Sequence, residues 1–394
     1  MDNINRNNKQ SWILFIGILL IGATLRAPIT SVGIALPSIK DTLSLSNTSV
    51  SLITIIPLLS FAVISLFAAK ISNRFGIERT VFGALIFIFL GIMLRAITGV
   101  SWLYLGTVLI GVGIAFGNVL TPGIIKMNFP LRIGIMTGYY TVVMNIFGSL
   151  SSYITAPLVK QYNYSIAISL IGLITLLGII VWSFQLKKHD HVKSSQTSTD
   201  INVWKSPLSW QITLLMGGQS MIFYSLINWL PEFLLSNGTP INEAGIYLSI
   251  LQLAIIPLTF VTPIFAEKMN NQVVITFVTG LLFVLGILTL MLQPGWAFVG
   301  IILIGIASGL AFGLVNTFFG LRAESGHTAA KLSGMSQSVG YLFAAIGPLF
   351  FGILHDVTQS WNASFSILLI TSLLIMLVGS QAGRNKTIEQ TLQK

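Results

Sequence analysis

Twelve apolar runs, each long enough to cross a hydrocarbon core about 30 Å thick, fill most of this chain. A spanning helix needs about 20 mostly apolar residues. Runs of that size fall at approximately 12–36, 47–69, 80–98, 102–126, 134–156 and 165–186, then 210–233, 243–266, 272–292, 296–320, 329–353 and 362–382. Charged residues are only 8% of the chain and hydrophobic ones 54%, whereas a soluble domain carries roughly a quarter charged. A soluble globular protein is thereby excluded, and the expected class is an all-α membrane protein. The polar stretch Met1–Ser11 and the length of the run behind it argue for a retained first span rather than a cleaved leader.

Other classes drop out on the same composition. Zero cysteines remove disulfides, thiolate metal sites and cysteine nucleophiles, and the four histidines are scattered, so no metal, cofactor or enzymatic constellation is expected. No Gly-rich Lys-Ser/Thr loop is present to cradle ATP phosphates. The net charge of +10 reads as loops held beside anionic lipid rather than as a nucleic-acid surface. With both termini inside, seventeen of the 21 Lys and Arg residues fall on the cytoplasmic side, and only Arg26, Lys40, Arg95 and Lys160 do not. That bias predicts a multi-pass plasma-membrane protein with cytoplasmic termini.

Residues 187–207 are polar and rich in Ser and Thr. They read as a cytoplasmic linker between a bundle at 1–186 and another at 208–394; the pair His189 and His191 lacks further ligands nearby. The two halves echo each other. IIPLL (55–59) and FAAK (67–70) match IIPLT (255–259) and FAEK (265–268), LIGVGIAFG (109–117) matches LIGIASGLAFG (303–313), and TGYY (137–140) matches SGMS (333–336). Twelve transmembrane helices as two parallel six-helix bundles imply a carrier with its solute site near mid-membrane between the halves.

Arg26 is the charge that such a site would be built around. It lies about 14 residues into the first span, roughly 21 Å along it, where an unpaired cation costs at least a few kcal/mol. Gly22, Arg26, Thr30 and Gly33 share one stripe, and Pro28 weakens the helix beside them. All eleven acidic residues lie in termini, loops or span ends, so no carboxylate is expected to neutralise Arg26. A fixed cation without a fixed anion is what a site for an anionic solute looks like, the guanidinium fork accepting planar oxygens. Arg95, near the outer end of the third span, is expected to snorkel to the interface.

The remaining polar residues predicted at membrane depth are candidates for the same cavity or for helix contacts. They are Tyr139, Tyr140 and Asn145 in span five, Gln219 and Tyr224 in span seven, Gln252 in span eight, and Gln337 and Tyr341 in span eleven. Asn118 and Asn316 lie nearer the cytoplasmic side. Asn228, Trp229 and Glu232 form a gate or an interface belt, with the belt expected for Trp229. Without an intramembrane carboxylate, a co-transported proton would travel on a weakly acidic solute.

On these residues the chain resembles the major facilitator superfamily and, within it, the cyanate and nitroimidazole transporter family. KISNRFGIERT (70–80) is similar to the superfamily's Asp-Arg-x-Gly-x-Arg turn through Arg74, Gly76 and Arg79, with Asn73 in place of the acid. LRAPITSVG (25–33) and GNVLTPGIIKMNFPLRIGIMTG (117–138) resemble the narrower family's signatures. The resemblance implies a secondary transporter of small anions or small polar solutes with Arg26 at the site. Export of heteroaromatic or drug-like compounds, bound by tyrosine stacking, is the alternative; a membrane sensor that has lost transport is the alternative of another class. The Gly-Pro signature of drug antiporters is missing from FGSLSSYITAPL (147–158).

Overall fold

The structure is a computed structural model and describes residues 2–45, 47–186, 201–292 and 294–392. Most of the linker, including His189 and His191, lies outside the described residues; a single 3-10 turn, Val203–Lys205, leads into the second half. The described residues are almost wholly helical, without strands. In the first half run α1 (Asp2–Leu43), α2 (Asn47–Phe75), α3 (Ile77–Ala96), α4 (Val100–Asn128), α5 (Ile133–Gln161) and α6 (Tyr164–Ser183). In the second run α7 (Pro207–Ser236), α8 (Ile241–Lys268), α9 (Val273–Leu292), α10 (Ala297–Leu321), α11 (Gly326–Thr358), α12 (Trp361–Ala382) and the short α13 (Ile388–Leu392). Eleven of the twelve long helices are long and apolar enough to cross a membrane. The exception, α7, is interrupted by Gln211, Thr213, Gln219, Ser220 and Asn228.

Helix ends follow local chemistry. Asn163 caps α6 by accepting from the Ile166 N–H at 2.9 Å, and Ser206 caps α7 ahead of Pro207 at its first turn. The one-residue turn between α2 and α3 needs a backbone that L side chains rarely adopt, and Gly76 supplies it with φ 89°.

The chain divides into two compact units. One holds the described residues of 1–124 and 139–200; the other holds those of 125–138 and 201–394, so the end of α4 and the start of α5 group with the second half. In the first unit α6 packs on α1 and α3; in the second α12 packs on α7 and α9, and α11 on α7. The repeat extends to individual contacts. A Cβ on Gly91 of α3 would lie 2.6 Å from the Gly106 carbonyl and 2.7 Å from Ile110 Cγ1 on α4; one on Gly286 of α9 would lie 2.9 Å from the Gly300 carbonyl and 2.6 Å from Ile304 Cγ1 on α10. Such backbone approach is what small residues allow between membrane helices.

The same contacts correct one sequence echo. Gly111 meets Pro57 and Ser60 of α2, and Gly305 meets Leu251 and Ala254 of α8. These pairs share a displacement of 194 residues, so Pro57 corresponds to Leu251. The IIPLL and IIPLT segments are therefore out of register by six residues and match through composition alone.

At one end of the second unit, Arg322 closes α10. Its Nε donates to the Ala382 carbonyl at 3.0 Å and its Nη2 to the Gly383 carbonyl at 3.1 Å and to Gln272 Oε1, while the guanidinium lies 4.8 Å over the Phe318 ring. Burial lowers the Arg322 pKa to about 10, which leaves it charged at neutral pH. Its own carbonyl accepts from the Ile388 N–H, and Glu389 accepts from the Glu324 N–H, docking α13.

Two outcomes follow from this packing. Gly91→Ala should lower the thermal unfolding midpoint in detergent, at a cost of about 1–3 kcal/mol from forced separation of α3 and α4. Gly83→Ala, on the same helix with nothing within 4 Å, should be neutral or gain up to about 1 kcal/mol. Arg322→Ala should take the donor from the Ala382 carbonyl and from Gln272 Oε1 at about 1–3 kcal/mol and should show in limited proteolysis as faster cleavage of residues 383–392.

Candidate functional site

The Arg26 stripe of α1 packs along α5. A Cβ on Gly22 would lie 2.9 Å from the Tyr140 carbonyl, and Gly148 faces Arg26 so closely that its Cβ would be 2.6 Å from Arg26 Cγ. Thr30 Oγ1 donates to the Gly148 carbonyl at 2.8 Å and lies 2.8 Å from Ser151 Oγ. Gly33 is exposed, with nothing within 4 Å of its Cβ position. Only the glycine at 148 lets the Arg26 stem lie flat against α5. The head of this partly buried side chain has neither a hydrogen bond nor an ion pair among the described residues.

Sequence reasoning singled out neither Gly148 nor Ser151, which meet Arg26 and Thr30. They sit inside the small-residue run of span five, which looks the same whether it serves helix packing or a site.

The second unit contains the same contact without the charge. Gly347 of α11 faces α7 with its Cβ position 2.5 Å from Met221 Cγ and 3.0 Å from Ser225 Oγ. Met221 thus takes the place of Arg26, Ser225 that of Thr30, and Gly347 that of Gly148. The packing is met by an unbranched apolar side chain of similar length, so the guanidinium is not a requirement of the fold.

The other predicted residues have distinct settings. In the first unit, Tyr140 is buried against Gly22 and its hydroxyl donates to Asn118 Oδ1 at 3.3 Å. Tyr139 is exposed and stands edge-on to Phe15, with ring centroids 5.6 Å apart. Both tyrosines lie about 12 Å along α5 from Gly148. Asn145, one turn before Gly148, donates to the Thr141 carbonyl at 2.9 Å. In the second unit, Gln219 donates to Ser220 Oγ at 2.9 Å, Gln337 to Ser333 Oγ at 2.8 Å and Asn316 to the Phe312 carbonyl at 2.9 Å, each within its own helix. Gln252 is exposed on α8, Tyr224 stands edge-on to Phe223, and Tyr341 is partly buried against the apolar core. The turn residues Asn73, Arg74 and Arg79 are exposed around Gly76.

Two sequence expectations are overturned. Arg95 does not snorkel: it is 1% exposed, with Nε donating to Thr107 Oγ1 at 2.9 Å and Nη1 to the Pro28 carbonyl at 3.0 Å. Its position near the end of α3 leaves the arm room to turn inward between α1 and α4 instead. Trp229, expected in an interface belt, turns its ring inward. Its indole donates to the Pro348 carbonyl at 2.8 Å and stacks on Phe351 at 6.4 Å, inside the second unit.

The sequence model of the Major Facilitator Superfamily matches residues 14–348. A 2-nitroimidazole transporter of Escherichia coli (strain K12) is 38% identical over 97% of this chain and 98% of its own length. The cyanate transport protein CynX of the same organism is 24% identical over 91% of this chain and 94% of its own. The solved structure of the proton:xylose symporter XylE bound to 6-bromo-6-deoxy-D-glucose superposes with a TM-score of 0.75 at 12% identity, covering 98% of this chain and 99% of that one; this likeness shows the fold. With two compact helical units and a match over most of its length, the chain belongs to the major facilitator superfamily, a membrane transporter and not an enzyme.

Proposed function

We propose that this protein is a plasma-membrane secondary transporter of small, flat solutes that present an anionic or strongly polarised edge, with cyanate-like anions the leading class and Arg26 the residue that meets them. The observation that carries this reading is the state of Arg26: a charged head in a spanning helix with no partner among the described residues, at a position where the other unit uses Met221. A guanidinium left in that condition has a strong need for acceptors, which a linear anion such as cyanate meets end-on and a planar group with two oxygens meets with both. Alternating access between the bundles 1–186 and 208–394, tethered by 187–207, delivers the solute, and the termini are cytoplasmic.

A second reading is favoured by the 38% identity to a protein named as a 2-nitroimidazole transporter. In it the solute is a nitro-substituted heteroaromatic whose two nitro oxygens accept from the fork. Tyrosine stacking has less support in the first unit, where Tyr140 is occupied by Gly22 and Asn118 and Tyr139 by Phe15.

Thermal stabilisation of the purified protein separates these readings. The panel is cyanate, nitrate, 2-nitroimidazole and unsubstituted imidazole, and the variants are Arg26→Ala and Arg26→Lys. The expected result is stabilisation of the wild type by cyanate or 2-nitroimidazole but not by imidazole, with the response lost in Arg26→Ala. Affinity should fall about 10- to 100-fold, the loss of about 1.5–3 kcal/mol expected for charge-assisted hydrogen bonds. Arg26→Lys should also weaken binding of a two-oxygen group such as that of 2-nitroimidazole, because an ammonium lacks the fork. Unchanged responses in Arg26→Ala would remove Arg26 from the site.

A further inference from the structure

Two consecutive carbonyls of α1 are held by side chains of other helices. That of Ala27 accepts from Ser151 Oγ of α5 at 3.2 Å, and that of Pro28 from Arg95 Nη1 of α3 at 3.0 Å. Pro28 has no N–H to give the turn before it, so this is the weakest part of the helix. Arg95 reaches it at the weak point. Its stem crosses Gly106 of α4, where a Cβ would lie 3.0 Å from Arg95 Cγ and 2.5 Å from the Gly91 carbonyl. Thr107 then fixes the fork, accepting from Nε while donating to the Leu103 carbonyl at 2.7 Å.

The second unit shows that packing does not need this arginine. Around the matching crossing of α9 and α10, the Cβ position of Gly300 lies 3.2 Å from Leu290 Cγ. Leu290 occupies the Arg95 position and Ile301 that of Thr107, both fully buried. A leucine suffices where nothing has to be held. In the first unit the costlier guanidinium is retained although its Nη2 is buried without a partner among the described residues.

We propose that Arg95 is a positioning residue: it locks the proline-weakened turn of α1 so that Arg26, two residues earlier, keeps a fixed heading toward the solute. This inference rests on the reading of Arg26 as the solute contact. It accounts for the feature that separates the two arginines: among the described residues neither pairs with a carboxylate, but Arg95 gives donors to a backbone carbonyl and a hydroxyl, and Arg26 keeps its own.

The test uses the full-length protein in nanodiscs with cyanate and 2-nitroimidazole as probes, comparing Arg95→Leu, Arg95→Lys, Arg26→Ala and the double variant Arg26→Ala/Arg95→Leu. Arg95→Leu should unfold near the wild-type temperature, because Leu290 already fills the equivalent space. Amide exchange over residues 24–33 should rise by about tenfold or more while the rest of the unit is unchanged. Probe affinity should drop roughly 10- to 100-fold, the scale of a misdirected contact, and Arg95→Leu should add nothing further in the Arg26→Ala background. Arg95→Lys, which reaches one acceptor but not both, should be intermediate and supplies the answer if the leucine variant does not fold. Unchanged exchange over 24–33 in the folded variants overturns the proposal. So does wild-type affinity in Arg95→Leu when Arg26→Ala has lost binding. If Arg26→Ala binds both probes normally, the reading of Arg26 fails alone, and exchange over 24–33 still decides whether Arg95 holds the turn.

Discussion

A guanidinium inside a bilayer has to be answered by acceptors, and among the described residues no carboxylate pairs with Arg26 or Arg95. The cost of an unanswered cation at that depth exceeds what any single contact in the bundle contributes. The first unit contains two such cations and resolves them differently. Arg95 is satisfied by a threonine hydroxyl and a backbone carbonyl and is sealed from solvent. Arg26 remains partly exposed with its donors uncommitted among the described residues. The functional account grows from that difference.

The internal repeat turns the difference into an argument about purpose. Duplicated bundles supply each position with a control: the same backbone crossing, filled by another side chain. Met221 stands for Arg26 against Gly347, and Leu290 stands for Arg95 against Gly300. In both cases the apolar version packs equally closely, so the charges belong to something other than folding. Both charged members lie in the first unit, Arg95 on the Pro28 carbonyl and Arg26 two residues before that proline, where α1 is least able to hold itself.

Much of this was legible in the sequence, because hydrocarbon leaves few solutions: spans of about 20 residues are readable as length and composition alone. Arg26 stood out for the same reason. What stayed hidden depended on direction rather than identity. An arginine near a helix end reads the same whether it turns outward to the interface or inward to a neighbouring carbonyl, and Arg95 turns inward. Gly148 and Ser151 gave no signal, since small residues in a span serve packing almost everywhere. The stripe Gly22, Arg26, Thr30 was found correctly, but it is the surface that meets α5 and only the arginine head escapes it. Tyr139 and Tyr140, placed by residue type at cavity depth, lie two turns away along α5. The IIPL echo shows how a motif of common membrane residues recurs without structural equivalence.

On the proposed function, the charge at position 26 is kept for the solute while the packing there needs only the side chain's length. Replacing Arg26 by methionine, the residue of the other unit, tests it most directly, with uptake or efflux of labelled cyanate and 2-nitroimidazole followed in proteoliposomes beside thermal unfolding of the same preparation. The account predicts a variant at least as stable as the wild type that moves neither compound. A stable variant that still carries them would contradict it, as would one whose fold collapses when the charge alone is removed.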